Sequence, residues 1–167
     1  LEMPPGSRVI DMPPGMALAR LDSPEDSWTT AAGAEAGFHV LGRQQVLGEA
    51  PVFRYGMEGV TVEETLTPVL GKGRRGLLRR WTVVAENAAA AQNLVLRPMG
   101  GAQMSALAQG LWRVTLGGHD LDLSFGEGFG RPPVSSVSGE LRWPIVMQSL
   151  PEDPERFGAT LSLELVW

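Results

Sequence analysis

The chain has 167 residues, a formal net charge of −5 and no cysteine. That length suits one domain, which buries roughly 70% of its unfolded surface and sustains a core without covalent staples. The missing thiols exclude disulfides, thiolate zinc sites, iron–sulfur ligation and covalent haem attachment within these residues, and the acidic balance argues against nucleic acid or anionic lipid as a general partner.

No stretch approaches the roughly 18 consecutive apolar residues of a membrane span, so no transmembrane segment is expected. With Leu1 in place of methionine at the start, a processed or trimmed product is expected. The first residues carry an internal echo, Met3-Pro4-Pro5-Gly6 and Met12-Pro13-Pro14-Gly15, whose prolines forbid helix and whose glycines permit tight turns. Two turns flanking a strand at Arg8 to Met12 are expected; a polyproline ligand is the functional alternative. Residues 1–35 read as a Pro/Gly-rich segment packing on a single β domain that spans 1–167. Further strands are expected at Met16 to Leu21 and from Phe38 to Leu41, with a loop and one short helical turn between Ser23 and Gly37.

Pro51 to Val83 reads as two long alternating strands joined by a basic, glycine-rich turn. Val60, Val62, Glu64 and Leu66 face one way and Thr61, Glu63, Thr65 and Thr67 the other. On the return strand Leu77, Arg79, Trp81 and Val83 share a face. Strand patterns follow at Asn93 to Arg97, Leu111 to Leu116, Asp120 to Phe125, Gly139 to Met147 and Ala159 to Trp167. Leu121, Leu123 and Phe125, and likewise Leu161, Leu163 and Leu165, should line the core. Glu86 to Gln92 has helix propensity but is too short to be more than a turn. The expectation is an all-β fold, an antiparallel β-sandwich or barrel-like arrangement of about 9 to 12 strands with little helix.

Glu64 lies on an otherwise apolar column and needs a partner. A register that sets Leu66 opposite Arg79 and Glu64 opposite Trp81 places Arg79 diagonally from Glu64, so the two are expected to form a structural ion pair. A glycosidase reading, with Glu63 or Glu64 as general acid, requires a second carboxylate. Adjacent strand residues face opposite ways, so that group would have to come from Asp120, Asp122 or Glu127. The run Lys72, Arg74, Arg75, Arg79, Arg80 concentrates five of the 14 cationic residues at the expected hairpin tip. Lys72, Arg74, Arg75 and Arg80 are therefore the candidate partner-binding residues, suited to an acidic protein surface or lipid phosphates, against the plainer reading of a solvated turn. His119-Asp120-Leu121-Asp122 supplies too few ligands on one face for zinc or calcium, and Phe125 to Arg131 lacks the strand-to-helix context of a phosphate loop. No catalytic residue, metal site or cofactor is expected. Among the five tryptophans, Trp28 and Trp112 are the candidates for glycan stacking in a carbohydrate-binding alternative, while Trp81 and Trp143 lie on core columns.

Pro51-Val52-Phe53-Arg54-Tyr55, Gly59 to Glu64, Gly76 to Arg80, Gly139 to Ile145 and Leu163 to Trp167 together resemble an uncharacterised β-rich domain that accompanies c-type cytochrome modules in bacterial cell-envelope proteins. The resemblance covers roughly Ala36 to Trp167, and the chain departs from those proteins in lacking a haem-attachment motif. It implies a periplasmic or otherwise extracytoplasmic location, peripheral to the membrane, and no catalytic residues. By extension the chain is expected to be an accessory subunit of a larger membrane electron-transfer complex with a c-type cytochrome, of which a photosynthetic reaction centre is one instance.

Overall fold

The structure, a computed structural model, describes residues 17–28, 37–71, 74–100, 102–108, 110–126, 128–129, 133–135 and 139–167. The expected strand at Arg8 to Met12, the two Met-Pro-Pro-Gly turns, Lys72 and Glu127 lie outside these residues. The described chain is all β, with 13 strands and no helix. They are β1 (Leu18–Arg20), β2 (His39–Gln44), β3 (Val52–Met57), β4 (Val60–Gly71), β5 (Arg74–Ala85), β6 (Leu94–Leu96), β7 (Met104–Ala108), β8 (Leu111–Leu116), β9 (His119–Phe125), β10 (Val134–Ser135), β11 (Leu141–Pro144), β12 (Gln148–Leu150) and β13 (Asp153–Val166).

Two antiparallel sheets face each other. One has four strands in the order β1-β6-β11-β10; the other has nine, in the order β2-β3-β4-β5-β13-β9-β8-β7, with β12 added alongside β13. Among the described residues neither sheet closes on itself, and only the single bridge between Gln103 and Glu140 joins the two, so the arrangement is sandwich-like and not a closed barrel. Strands outnumber the expected 9 to 12 because β10 and β12 are too short to show alternation. The segment read as two long strands is a three-stranded meander. Met57 pairs with Val60, and the two-residue turn between them holds Gly59 at φ +67°, which a side chain there rarely adopts. Glu86 to Gln92 is a turn, closed in part by the Ala91 amide donating to the Asn87 carbonyl.

Alternation fills the space between the sheets. Val60 and Val62 of β4, Trp81 and Val83 of β5, and Leu161, Leu163 and Leu165 of β13 are each at most 3% exposed, as are Leu121 and Leu123 of β9. Burying each such aliphatic side chain stabilises the fold by about 1.5–3 kcal/mol before chain entropy is counted. Leu18, Leu94, Leu96 and Trp143 close the core from the small sheet. Trp143 is the main contact across the seam: its ring lies 4.2 Å from Phe125, 5.5 Å from Phe129 and 6.3 Å, edge-on, from Trp112. Arg20 of β1 adds a polar staple, donating at 2.8 Å to the carbonyl of Ala90.

The glycine-rich stretch after β9 runs against β13. Gly126 donates to the Ser162 carbonyl at 2.9 Å, and a β-carbon at Gly128 would stand 2.0 Å from the Thr160 carbonyl oxygen. Close backbone approach is the reason for these glycines, and no anion-binding loop is needed to explain them. Gly128 also has φ +82°. Gly128→Ala should therefore combine a steric clash with an unfavourable backbone conformation and lower stability by about 2 kcal/mol or more, read as a shift of the urea unfolding midpoint.

Candidate functional site

The β4–β5 hairpin outruns the strands beside it. β3 stops pairing with β4 at Thr65, and β13 pairs with β5 only as far as Gly76, so the hairpin beyond these points is a two-stranded ribbon. Pro68 sits on the stretch of β4 that has no outer neighbour, where a missing amide does no harm and discourages edge pairing. In the ribbon Leu70 pairs with Arg75, and the Trp167 amide donates to the Arg75 carbonyl at 3.0 Å. Leu70 follows the column of Val60, Val62, Glu64 and Leu66; Arg75 follows that of Leu77 and Arg79; Trp167 lies two residues beyond Leu165. All three therefore occupy the same side of the sheet, one row past the covered core. Leu70 is 78% exposed, Trp167 is 55% exposed, and Arg75 is exposed. An aliphatic from β4, a guanidinium from β5 and an indole just past the end of β13 thus form one open row.

Of the residues nominated from sequence, Arg75 belongs to this row. Arg74 pairs through its backbone with Gly71 at the same end. Arg80 is elsewhere: it is exposed, pairs with Thr65 and Ser162 on the other face of the sheet, and lies five residues, about 17 Å, along the strand from Arg75. Arg75 and Arg80 therefore stand on opposite faces of the sheet.

The register puts Glu64 opposite Trp81 and Leu66 opposite Arg79. Arg79 reaches diagonally to Glu64 at 2.7 Å, donates to the Pro98 carbonyl at 2.9 Å and lies over the Trp81 ring at 4.7 Å. The Tyr55 hydroxyl donates to the second carboxylate oxygen of Glu64 at 3.3 Å. Glu63, on the opposite face, binds Arg54 at 2.6 Å. Asp122 is held by Arg113 at 2.7 Å and Asp120 accepts from Thr115 at 2.6 Å, both in exposed settings. These carboxylates do not converge on a cleft as a glycosidase pair must.

Neither tryptophan proposed for glycan stacking stands free. Trp28 lies beneath the guanidinium groups of Arg97 and Arg142, at 4.3 and 5.2 Å, and Trp112 is half-buried against Trp143.

Trp28 leads to a network that sequence reading missed. Glu140 and Arg142 are 3% and 2% exposed. Arg142 donates to Glu140 at 2.6 Å, to the Pro24 carbonyl at 2.8 Å and to the Asp26 carbonyl. Arg97 approaches the other oxygen of Glu140 at 3.5 Å; desolvation lowers the Arg97 pKa, Glu140 opposes that shift and Arg142 adds to it. The sequence signal was present in Glu140-x-Arg142, two opposite charges on one face of a strand whose alternate residues Leu141, Trp143 and Ile145 are apolar.

An open cleft of about 650 Å³ beside β7 and β8 is lined by Gln103, Ser105, Arg113, Thr115 and Asp120 among others, but Arg113 and Asp120 are already engaged there. Among the described residues no group of three His, Asp or Glu side chains is placed to hold a metal ion. No helix there is long and apolar enough to cross a membrane.

Two measurements test the polar interior. Glu140→Gln strands two guanidinium groups beneath the loop and should cost about 3–5 kcal/mol in urea unfolding, whereas the paired change Glu140→Met with Arg142→Leu should cost clearly less. Tyr55 is the sole tyrosine, and desolvation first, then the Glu64 charge, push its pKa well above the usual phenol range. Its contribution to stability is whole below pH ~10, where the unfolded chain's phenol is also neutral, and falls as the unfolded chain ionises above that. Phenolate absorbance should accordingly appear in the native protein only well beyond pH ~10, and the alkaline loss of stability should shrink in Tyr55→Phe. Comparison of the chain with protein-family models, curated proteins and solved structures returns no match.

Proposed function

We propose that this protein is a non-catalytic accessory subunit that docks on a larger protein assembly through the end of the β4–β5 hairpin. The observation that carries the reading is the row Leu70, Arg75 and Trp167. Exposed Trp and Arg side chains are the types that dominate binding energy at protein interfaces, and an adjacent aliphatic supplies apolar area that water leaves on contact. A guanidinium in this row of an acidic protein selects a carboxylate-bearing surface. Lys72 and Arg74 lie between Leu70 and Arg75 in the sequence, so that segment is cationic.

The carboxylates being held separately in ion pairs and hydrogen bonds favours binding over hydrolysis. Stacking of Trp28 with arginines and of Trp112 with Trp143 leaves the carbohydrate-binding alternative with less support. The resemblance to the domain that accompanies c-type cytochromes supplies the setting: the extracytoplasmic face of a membrane electron-transfer complex.

Co-purification from native membranes tests the proposal. Arg75→Glu should weaken association by about 2 kcal/mol or more, roughly 30-fold, while Arg80→Glu, the same charge change on the other face, should leave it nearly intact. Equal loss from both variants would mean that net charge alone drives docking. No loss from Arg75→Glu in a folded protein would remove the hairpin end from the interface.

A further inference from the structure

One end of the large sheet's strand order carries a second feature, independent of the hairpin row. β2 is the outermost strand, and among the described residues it is hydrogen-bonded only to β3. No described strand pairs with its other edge, and its six residues include no lysine, proline or carboxylate to blunt that edge. Of the eight exposed large hydrophobic residues among those described, four fall in the segment 40–47: Val40 at 89% and Leu41 at 57%, then Val46 and Leu47 just beyond the strand. Arg43 is the only charged side chain of the segment before Glu49, so the strand itself carries a single positive charge in an acidic chain.

The pairing also orients the side chains. Val40 is opposite Tyr55 and Arg43 is opposite Phe53, residues two apart on one face of β3, because a bulge takes up the extra position at Leu41. Val40 and Arg43 consequently share that face although three positions separate them. Arg43 is exposed, lies over the Phe53 ring at 5.6 Å and donates to Gln45 at 2.5 Å, with no carboxylate partner among the described residues.

We propose that β2 is an acceptor for strand addition and that its occupant is an extended segment of another protein with an acidic residue followed two positions later by Val, Ile or Leu. An antiparallel strand laid on this edge completes the unmet backbone hydrogen bonds. It sets the carboxylate against Arg43 and the aliphatic side chain against Val40.

The probe is a blocked octapeptide, threonine–glutamate–threonine–valine–threonine–valine–threonine–glycine, added to the whole protein, with amide hydrogen exchange read residue by residue. Exchange within His39–Gln44 should slow by about tenfold or more at saturation. A peptide with proline in place of the first valine should give no protection. Lysine in place of glutamate should fail against the native protein and succeed against Arg43→Glu, a charge exchange that a general effect on folding does not reproduce. No protection at millimolar peptide, or equal protection by the glutamate and lysine peptides, overturns the proposal. So does protection that rises with protein concentration in the absence of peptide, because the edge would then be covered by a second copy.

Discussion

Strand β13 is the constraint on which the large sheet depends. It runs for 14 residues, pairs with β5 along one side and with β9 and β12 along the other, and turns Leu161, Leu163 and Leu165 into the core. Without it the meander β3-β4-β5 and the group β7-β8-β9 share no backbone hydrogen bonds, and the aromatic contact of Phe125 with Trp143 loses its support. Gly126 and Gly128 come within backbone contact of this strand, so their positions are set by the same element.

Charge inside the sandwich is confined to places where backbone carbonyls help to satisfy it. Arg79 couples Glu64 in the large sheet to Pro98, just past β6 of the small one. Arg142 couples Glu140 to the carbonyls of Pro24 and Asp26 in the loop after β1. Each guanidinium joins segments distant in sequence, and removing its carboxylate would leave a charge in a poorly solvated site. Such geometry defines where loops sit more than it adds net stability, since desolvation offsets much of the Coulomb attraction.

Legibility in the sequence followed the distance over which each interaction acts. The faces of β4, β5, β9 and β13 could be read because alternation is local, and the diagonal relation of Glu64 to Arg79 follows from strand alternation once the hairpin register is assumed. β3 was merged with β4 because Glu58-Gly59 is too short a break to stand out. β7, Met-Ser-Ala-Leu-Ala, has little strand propensity of its own, and the first half of β13 is obscured by Asp153, Pro154, Glu155 and Arg156. Glu140 and Arg142 look like solvent-facing positions until a loop more than a hundred residues earlier covers them. The row of Leu70, Arg75 and Trp167 was equally hidden, since it exists only through the pairing of β13 with β5.

Trp167 reaches Arg75 across a separation of 92 positions, 167 minus 75, and this gives the hairpin end a dependence on the order of synthesis. A nascent chain can close the β4–β5 turn early, yet its indole partner arrives only when the last described strand emerges and zips into place. Recognition that requires all three side chains would therefore discriminate molecules in which β13 has docked beside β5 from those in which it has not.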